Sequence, residues 1–275
     1  MCVYVFFFCI LKVNEMYIIE QFKINLMPKY CNVLMFGKPE CGKTYLCCYL
    51  IKESMPLYKL CNVYSRAPGG RETYSRIIPS TFVHETLDPV VQVDRMENHK
   101  KYQKQYPNGI GIINVYDDIE NTEGGRHSSS FINDIVRRCR HFNFFNLIAT
   151  QHVSDYQPSI RACADFLFVF RNLSRNTLQQ VYHYFVNNSI TYSMFEQCYQ
   201  TVIEYHKYAI LVIDKKQNPM KLYFFIAGNI DWSLPAVPID SILWKYHFLR
   251  TGGRDNAQNR HFYGHLYDKF PDDVI

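Results

Sequence analysis

The sequence predicts an α/β protein with a mostly parallel sheet that is flanked by helices and followed by a C-terminal β-hairpin. Short apolar runs that suit buried strands alternate with longer stretches of helical pattern, and this alternation is typical of parallel sheets. A glycine-rich loop at residues 37–44 lies between the first strand of this alternating region and a helix. Two apolar runs at 208–214 and 221–227 flank a short polar turn, which predicts the hairpin.

The composition predicts a globular protein with reduced cysteines. Of the 275 residues, 48% are hydrophobic and 20% are charged, which favours a sizeable core over global disorder. The net charge of +5 is compatible with nucleic-acid binding but is too small to demonstrate it. None of the ten cysteines belongs to a C-x-x-C pair, so neither a zinc ribbon nor a redox motif is indicated. Reduced thiols in a cytosolic or nuclear protein fit this pattern better than a disulfide framework.

The glycine-rich loop fits the pattern G-x-x-x-x-G-K-[ST], the Walker A phosphate-binding loop. It follows the apolar run Cys31–Phe36 and precedes a stretch, Tyr45–Glu53, without glycine or proline, so it has the strand–loop–helix context that the motif needs. In such a loop the backbone N–H groups and the helix N-terminus face the phosphates, Lys43 reaches the terminal phosphates and Thr44 ligates Mg²⁺. We therefore predict a P-loop NTPase that binds a nucleoside triphosphate. The candidate nucleotide-binding residues are Gly37, Lys38, Pro39, Glu40, Cys41, Gly42, Lys43, Thr44 and Tyr45.

The first and last segments of the chain differ in composition from the segment that contains this loop. We divide the chain into an N-terminal apolar extension (1–26), a P-loop domain (27–232) and a C-terminal tail (233–275). The apolar run Cys2–Leu11 spans about ten residues, whereas a membrane-spanning helix needs about twenty, and no signal peptide pattern surrounds it. We interpret it as an extra strand or packing arm, with a start of translation at Met16 or Met27 as the alternative, and expect no membrane partner. In the polar tail, His261 and His265 have ligand-like spacing without cysteine partners and are interpreted as surface residues.

A second motif closes the apolar run Ile110–Asp118, which ends in two carboxylates. An apolar strand of this kind downstream of a Walker A loop indicates a Walker B element. A site for Mg²⁺ and a triphosphate needs one carboxylate for the metal and one acceptor for the attacking water. Asp117 is the candidate for the metal and Asp118 for the catalytic base, with Glu120 in reserve.

Other elements follow from the same patterns of apolar spacing and turn residues. We predict strands at 58–65, 142–150 and 164–170, helices at 87–106, 131–140, 174–187 and 192–206, and loops at 67–71 and 121–130. Gln151 follows the strand 142–150 at the carboxyl edge of the sheet, where open α/β sheets place their ligands. It is a candidate sensor of the γ-phosphate, and a strand-end residue that faces solvent is the alternative. Arg140 lies at a basic helix end, where it either complements the helix dipole or supplies a charge for a neighbouring subunit's phosphate or for DNA.

The order of these landmarks resembles the viral genome-packaging ATPases of the FtsK–HerA superfamily, which occur in poxviruses and related large DNA viruses. The resemblance covers about 27–230. The segments that carry it are the Walker A loop 37–44, the strand 112–118, Cys139-Arg140-His141, Ile148-Ala149-Thr150-Gln151, Pro158-Ser159-Ile160-Arg161, the strand end 168–171 and the hairpin with Asp214. The Asp-Asp end of the Walker B strand departs from the Asp-Glu that is frequent in that superfamily.

The resemblance implies a RecA-like ATPase that assembles as a homo-oligomeric ring and moves double-stranded DNA into a capsid, with ATP and Mg²⁺ as cofactors. Viral capsid proteins are then partners, and the protein acts in the host cytoplasm or nucleus, at the site of virus assembly, or in the virion. It implies a catalytic set of Lys43, Asp118, Gln151 and Arg140. In this set Arg140 is the arginine finger given to the next subunit, and Arg161 and Arg126 are its alternatives.

Contacts to DNA would use Lys and Arg that grip backbone phosphates without reading bases. The candidate segments are Ala67–Arg71 and Gly124–Arg126. Two other functions remain open on the sequence alone. A P-loop phosphotransferase would phosphorylate a small molecule, and a nucleotide-dependent scaffold or switch would bind ATP with negligible turnover.

Overall fold

The computed structural model describes residues 7–12, 15–54, 57–58, 60–87, 96, 111–119, 126–186 and 189–233. The strands are β1 (Phe7–Lys12), β2 (Glu15–Gln21), β3 (Asn32–Phe36), β4 (Leu60–Ser65), β5 (Val83–His84), β6 (Ile112–Asp117), β7 (Phe144–Thr150), β8 (Phe166–Val169), β9 (Ile210–Asp214) and β10 (Lys221–Phe225). The helices are α1 (Lys43–Ser54), α2 (Pro68–Ser75), α3 (Arg126–Arg137), α4 (Pro158–Cys163), α5 (Arg175–Phe185) and α6 (Tyr192–Tyr205). Short 3₁₀ turns lie at Ile24–Leu26, Ser80–Phe82 and Val153–Asp155.

The ten strands of the described residues belong to one sheet with the order β1-β2-β10-β9-β8-β3-β7-β6-β4-β5. The strands from β8 to β5 in this order are mutually parallel. The hairpin of β9 and β10 joins antiparallel to β8, and β2 and β1 complete that side of the sheet. The predicted α/β class, the mostly parallel sheet and the C-terminal hairpin are therefore confirmed.

The central strands are apolar along their whole length because both faces of the sheet are covered. Every residue of β3 and of β7 is buried. Side chains alternate between two cores, so that Val33 and Met35 pack with α1 on one face. Leu34 and Phe36 pack on the other face with residues of α5 and α6. This arrangement fixes β3 in the middle of the sheet and leaves its carboxyl end open for the loop that follows.

The N-terminal extension forms strands of the same sheet, as the interpretation of an extra strand expected. β1 pairs with β2, and β2 pairs with β10 of the hairpin. Phe22 follows β2 and is 2% exposed. Its ring makes edge contacts with Phe166, Phe168 and Tyr223, at 5.5–5.7 Å between ring centroids. The extension thus contributes directly to the core beside β8 and β10.

Two boundaries predicted from glycine-rich segments are wrong. The predicted loop 67–71 contains the start of α2, because Pro68 occupies the first helical turn, where its missing N–H costs nothing. Helix α3 begins at Arg126 and ends at Arg137, so it starts within the predicted loop 121–130 and stops before Arg140. A turn at 138–143 follows, and its last residue, Asn143, has a φ of 56°, which directs the chain into β7.

Some predictions fall outside the described residues. They are the helix 87–106 apart from Leu87 and Met96, the residue Glu120, the glycines 124 and 125, and the tail beyond Ser233 with His261 and His265. The eight cysteines among the described residues that follow β2 are all free thiols. None of the helices in the described part of the chain has both the length and the apolar character needed to cross a membrane.

Candidate nucleotide-binding site

The loop between β3 and α1 has the backbone of a phosphate-binding loop. Glu40 and Gly42 have φ values of 62° and 102°, so the chain turns twice through the left-handed region. At 102° a side chain would be strained, which explains the glycine at position 42. The amide of Leu46 bonds to the carbonyl of Gly42 at 2.9 Å, so the helix begins directly at the loop. The helix N-terminus and the N–H groups of the loop therefore converge on one anion-binding position.

Lys43 places a cation inside this loop. Its Nζ donates to the carbonyl of Gly37 at 2.9 Å and to that of Lys38 at 3.1 Å. The residue is only 5% exposed, and burial of an ammonium group is costly unless acceptors or an opposite charge compensate it. The two carbonyl oxygens provide the acceptors, but they carry no negative charge. The loop therefore fits a ligand that supplies several anionic oxygens, such as a triphosphate.

Thr44 and Asp117 meet beside the loop, as predicted for a metal site. Thr44 Oγ1 donates to Asp117 Oδ2 at 2.7 Å, because β6 brings its carboxyl end next to β7, which itself pairs with β3. A hydroxyl and a carboxylate are the hard oxygen ligands that Mg²⁺ prefers, with water completing the shell. Burial raises the pKa of Asp117, and the hydrogen bonds from Thr44 and Tyr74 oppose that rise.

Tyr74 is a site residue that the sequence analysis missed. Its hydroxyl donates to Asp117 Oδ2 at 2.9 Å, and the residue is completely buried. Burial raises the pKa of Tyr74 well above its ordinary value, so the hydroxyl keeps its proton and acts as a donor. Tyr74 lies on α2, which was predicted as a loop in its first half, so no sequence pattern placed it next to the end of β6.

Asp118 and Gln151, the predicted base and sensor, are in direct contact. Gln151 Nε2 donates to Asp118 Oδ2 at 3.0 Å. Asp118 has a φ of 50°, and its own N–H bonds to the carbonyl of Ala149 at 3.1 Å. The chain therefore leaves β6 in a tight turn that directs this carboxylate toward the end of β7. The sequence-based expectation that the two strand ends share one site agrees with this arrangement.

Arg140 does not lie near the phosphate loop of its own chain. Its Nη2 forms an ion pair with Asp165 Oδ1 at 2.7 Å, and its side chain is 64% exposed. Asp165 precedes β8 and accepts from the N–H of Asn32, the first residue of β3. The pair thus lies at the amino edge of the parallel strands, opposite the loop that follows Phe36. A role of Arg140 in a neighbouring subunit stays a prediction.

The alternative finger Arg161 already has partners within the chain. Its Nη1 donates to the carbonyl of Tyr156 at 3.0 Å, and its guanidinium lies 4.0 Å from the ring centroid of Tyr184. A side chain held by a carbonyl and an aromatic ring is less free to reach another subunit than the exposed Arg140. For Arg126, the first residue of α3, the structure describes the backbone but not the side chain.

A cavity of about 410 Å³ adjoins the outer side of the phosphate loop. It is lined by Glu40, Cys41, Gly42, Tyr45, Leu46, Phe170, Arg171, 207–210, Ala227 and Asn229. This volume lies within the range of about 300–1,000 Å³ that is usual for small-molecule pockets. Arg171 Nη1 donates to the carbonyl of Lys207 at 2.7 Å, whereas its buried Nε has no hydrogen-bond partner among the described residues. The strand-end rule that selected Gln151 would also have selected Arg171, which follows β8.

Comparisons with known proteins support the predicted P-loop NTPase fold. No family model matches the chain. It is 25% identical over 180 residues to the uncharacterized protein 075L of Invertebrate iridescent virus 6, covering 62% of this chain and 69% of that protein. It is 21% identical over 225 residues to the uncharacterized protein 015R of Frog virus 3, covering 80% and 68% respectively.

Solved structures share the architecture at low identity. The genome packaging NTPase B204 of Sulfolobus turreted icosahedral virus 2, in complex with ATP-gammaS, superposes with a TM-score of 0.50 at 15% identity. That match covers 71% of this chain and 98% of B204. The chain has the fold of a P-loop NTPase. EssC (ATPases 2 and 3) of Geobacillus thermodenitrificans has the same fold, with a TM-score of 0.54 at 12% identity over 94% of this chain and 47% of EssC. The fold that the sequence resemblance implied is thus confirmed.

Proposed function

We propose that this P-loop NTPase hydrolyses ATP with Mg²⁺ and uses the energy to move double-stranded DNA into a viral capsid. Two neighbouring hydrogen bonds carry the proposal. Thr44 bonds to Asp117 at 2.7 Å, and Gln151 bonds to Asp118, the next residue, at 3.0 Å. These contacts between three elements support a hydrolytic site beside the phosphate loop. The fold shared with a viral genome packaging NTPase, together with the two relatives from viruses, supports the viral role.

The residues at the phosphate loop divide the chemistry among them. Lys43 leaves its loop carbonyls for the terminal phosphates, while Thr44 and Asp117 hold Mg²⁺, which when bound neutralises charge on the phosphate oxygens. Asp118 accepts a proton from the attacking water, whose oxygen bonds to the γ-phosphorus as the bond to the β–γ bridging oxygen breaks. Gln151 holds the Asp118 carboxylate in position and responds to the γ-phosphate. The products are ADP and phosphate.

The cavity beside the loop takes the base and ribose of the nucleotide in this proposal. Tyr208, which is 62% exposed, borders it and offers a ring for stacking, and Arg171 supplies a buried donor. Tyr208→Ala is expected to raise KM for ATP about three- to tenfold with kcat nearly unchanged, because a stacking contact of about 0.5–1.5 kcal/mol is lost. Initial-rate kinetics measure this. Tyr208→Phe keeps the ring and should retain the wild-type KM, and equal KM values for all three proteins would exclude the base from this cavity.

A ring of subunits completes the proposed site, with Arg140 given to the neighbour. In this assembly Arg140 leaves Asp165 and stabilises the charge that develops on the transferred phosphate, a contribution of about 10³–10⁵ in rate where an arginine finger acts. Arg140→Ala should therefore abolish hydrolysis but retain ATP binding. Mixing it with Asp118→Asn protein should restore part of the activity, because some interfaces then combine an intact finger with an intact base. Activity that stays absent in the mixture, although the subunits co-assemble, would contradict a finger donated between subunits.

Contacts to DNA in this proposal come from the exposed end of α2. Arg71 is already used within the chain, since its Nη1 donates to the carbonyls of Ser65 and Arg66 and its Nη2 lies 3.5 Å from Glu85. Arg66 is exposed next to the helix start and is the better candidate to meet a backbone phosphate. Capsid proteins would bind elsewhere on the ring, and the protein would act where virions assemble in the host cell.

The experiment that tests the function measures ATP turnover with and without double-stranded DNA and identifies the products. The proposal predicts ADP and phosphate, a rate that DNA increases, and a weaker DNA effect for Arg66→Glu. A phosphorylated small molecule as the product would favour a phosphotransferase. ATP binding without turnover in the presence of DNA would favour a nucleotide-dependent scaffold. Either of these two results would contradict the proposed motor.

A further inference from the structure

Helix α2 presents a buried side chain to the metal-binding carboxylate. Tyr74 and Thr44 both donate to the same oxygen of Asp117, Oδ2, at 2.9 and 2.7 Å. Two donors on one oxygen fix the plane of the carboxylate, and neither of them uses Oδ1. Thr44 belongs to the nucleotide-binding loop itself, whereas Tyr74 comes from a different element. The orientation of Asp117 therefore depends on where α2 lies.

The position of α2 depends in turn on a glycine. Ser65, the last residue of β4, pairs in register with Asp117, the last residue of β6. Helix α2 contacts both strand ends, because Tyr74 bonds to Asp117 and Gly70 lies against Ser65. A Cβ at Gly70 would lie 2.7 Å from Ser65 Oγ, closer than van der Waals contact allows. A Cβ at Gly69 would meet no atom within 4 Å. Gly70 thus lies directly against the side chain of Ser65 on β4, the strand next to that of Asp117, whereas Gly69 faces open space.

We propose that Tyr74 is a positioning residue that holds the Asp117 carboxylate for Mg²⁺, and that Gly70 lets α2 come close enough for this contact. The inference rests on the proposed function, in which Asp117 takes part in Mg²⁺ binding. Side chains that hydrogen-bond to metal-binding carboxylates typically affect metal affinity or activity by about 10- to 100-fold. Tyr74 is completely buried, so water does not compete with Asp117 for its hydroxyl.

Tyr74→Phe removes the hydroxyl and keeps the ring. We expect the Mg²⁺ concentration that half-saturates binding of a fluorescent ATP analogue to rise about tenfold or more. Binding of the same analogue in EDTA should stay near the wild-type level, because the loop and Lys43 are unchanged. Tyr182→Phe is the matched control, since its hydroxyl donates to a carbonyl, that of Ile190, at 2.9 Å between α5 and the start of α6. That variant should show the wild-type dependence on Mg²⁺.

A pair of glycine variants tests the same idea without removing the hydroxyl of Tyr74 or the carboxylate of Asp117. Gly70→Ala should raise the Mg²⁺ requirement in the same direction as Tyr74→Phe, whereas Gly69→Ala should not, although both changes add one methyl group to one helix. Adding Ser65→Ala to Gly70→Ala should restore much of the wild-type behaviour. Ser65 Oγ has no hydrogen-bond partner in the described part of the chain, so its removal relieves the clash at little cost.

The outcomes separate this inference from the proposed function. Wild-type protein that binds the analogue in a Mg²⁺-dependent manner, together with a Tyr74→Phe variant of unchanged Mg²⁺ dependence, would overturn the role of Tyr74 alone. Wild-type protein whose nucleotide binding is indifferent to Mg²⁺ would overturn the proposed catalytic site and the inference with it. A rise in the half-saturating Mg²⁺ concentration for Tyr74→Phe and Gly70→Ala, but not for their controls, supports both the inference and the proposed function.

Discussion

Asp118→Asn is expected to lower the rate of ATP hydrolysis by about 10²- to 10⁴-fold while ATP binding persists. The amide has nearly the shape of the carboxylate, so the contact with Gln151 at 3.0 Å can be kept by rotation of either amide group. An amide cannot accept a proton from water, however, so the catalytic step loses its base. Single-turnover hydrolysis and equilibrium binding of ATP, measured on the same preparation, separate these two effects.

A surface carboxylate provides the control for this prediction. Asp134 lies on α3, is half exposed and forms a long ion pair with Arg138 at 3.9 Å. Asp134→Asn should therefore leave hydrolysis unchanged, because exposed pairs of this kind contribute little. If Asp118→Asn hydrolysed ATP at more than about a tenth of the wild-type rate, Asp118 would not be the general base assigned here. The acceptor would then have to be sought at the neighbouring Glu120.

Lys43→Ala is expected to weaken ATP binding by about a hundredfold or more and thereby abolish turnover. The ammonium group is buried in the loop with two carbonyl acceptors, at 2.9 and 3.1 Å, and is available for charge-assisted bonds to phosphate. Loss of one or two such bonds, each of about 1.5–3 kcal/mol, accounts for the expected change in affinity. Titration of the protein with a fluorescent ATP analogue measures it.

Lys52→Ala is the matched control, because Lys52 lies on the last turn of the same helix and its ammonium donates to the backbone carbonyl of Asp231. It should bind ATP as the wild type does. The Lys43 variant should remain folded, since the removed charge is buried without a carboxylate partner among the described residues. A folded Lys43→Ala protein with wild-type affinity for ATP would mean that the loop is not the phosphate site.

The parts of the site that the sequence could predict are those defined by local patterns at strand ends. The loop of Gly42 and Lys43 is recognisable because its spacing, its preceding strand and its following helix are all contiguous in the sequence. Asp117, Asp118 and Gln151 could be assigned because parallel strands bring their carboxyl ends to one edge, whichever strands lie between them. In the structure Thr44 contacts Asp117 and Gln151 contacts Asp118, while the roles of these residues stay predictions.

What the sequence could not predict depends on packing between distant elements. Tyr74 lies 43 residues before Asp117, and its contact exists only because α2 folds over the ends of β4 and β6. Two glycines suggested a loop there, although Gly70 serves the close approach of a helix. The partner of Arg140 was likewise hidden, because Asp165 precedes a different strand and meets it only at the amino edge of the folded sheet.

Direct observation of DNA movement tests the central claim, which is that hydrolysis at this site drives translocation on a duplex. A DNA duplex carrying a labelled third strand is mixed with the protein and ATP, and release of the third strand is followed by fluorescence. The proposed function predicts release that requires ATP and is absent with Asp118→Asn protein, which still binds nucleotide. ATP hydrolysis by the wild type at full rate, with the third strand left in place, would contradict the assignment of this protein as a DNA translocase.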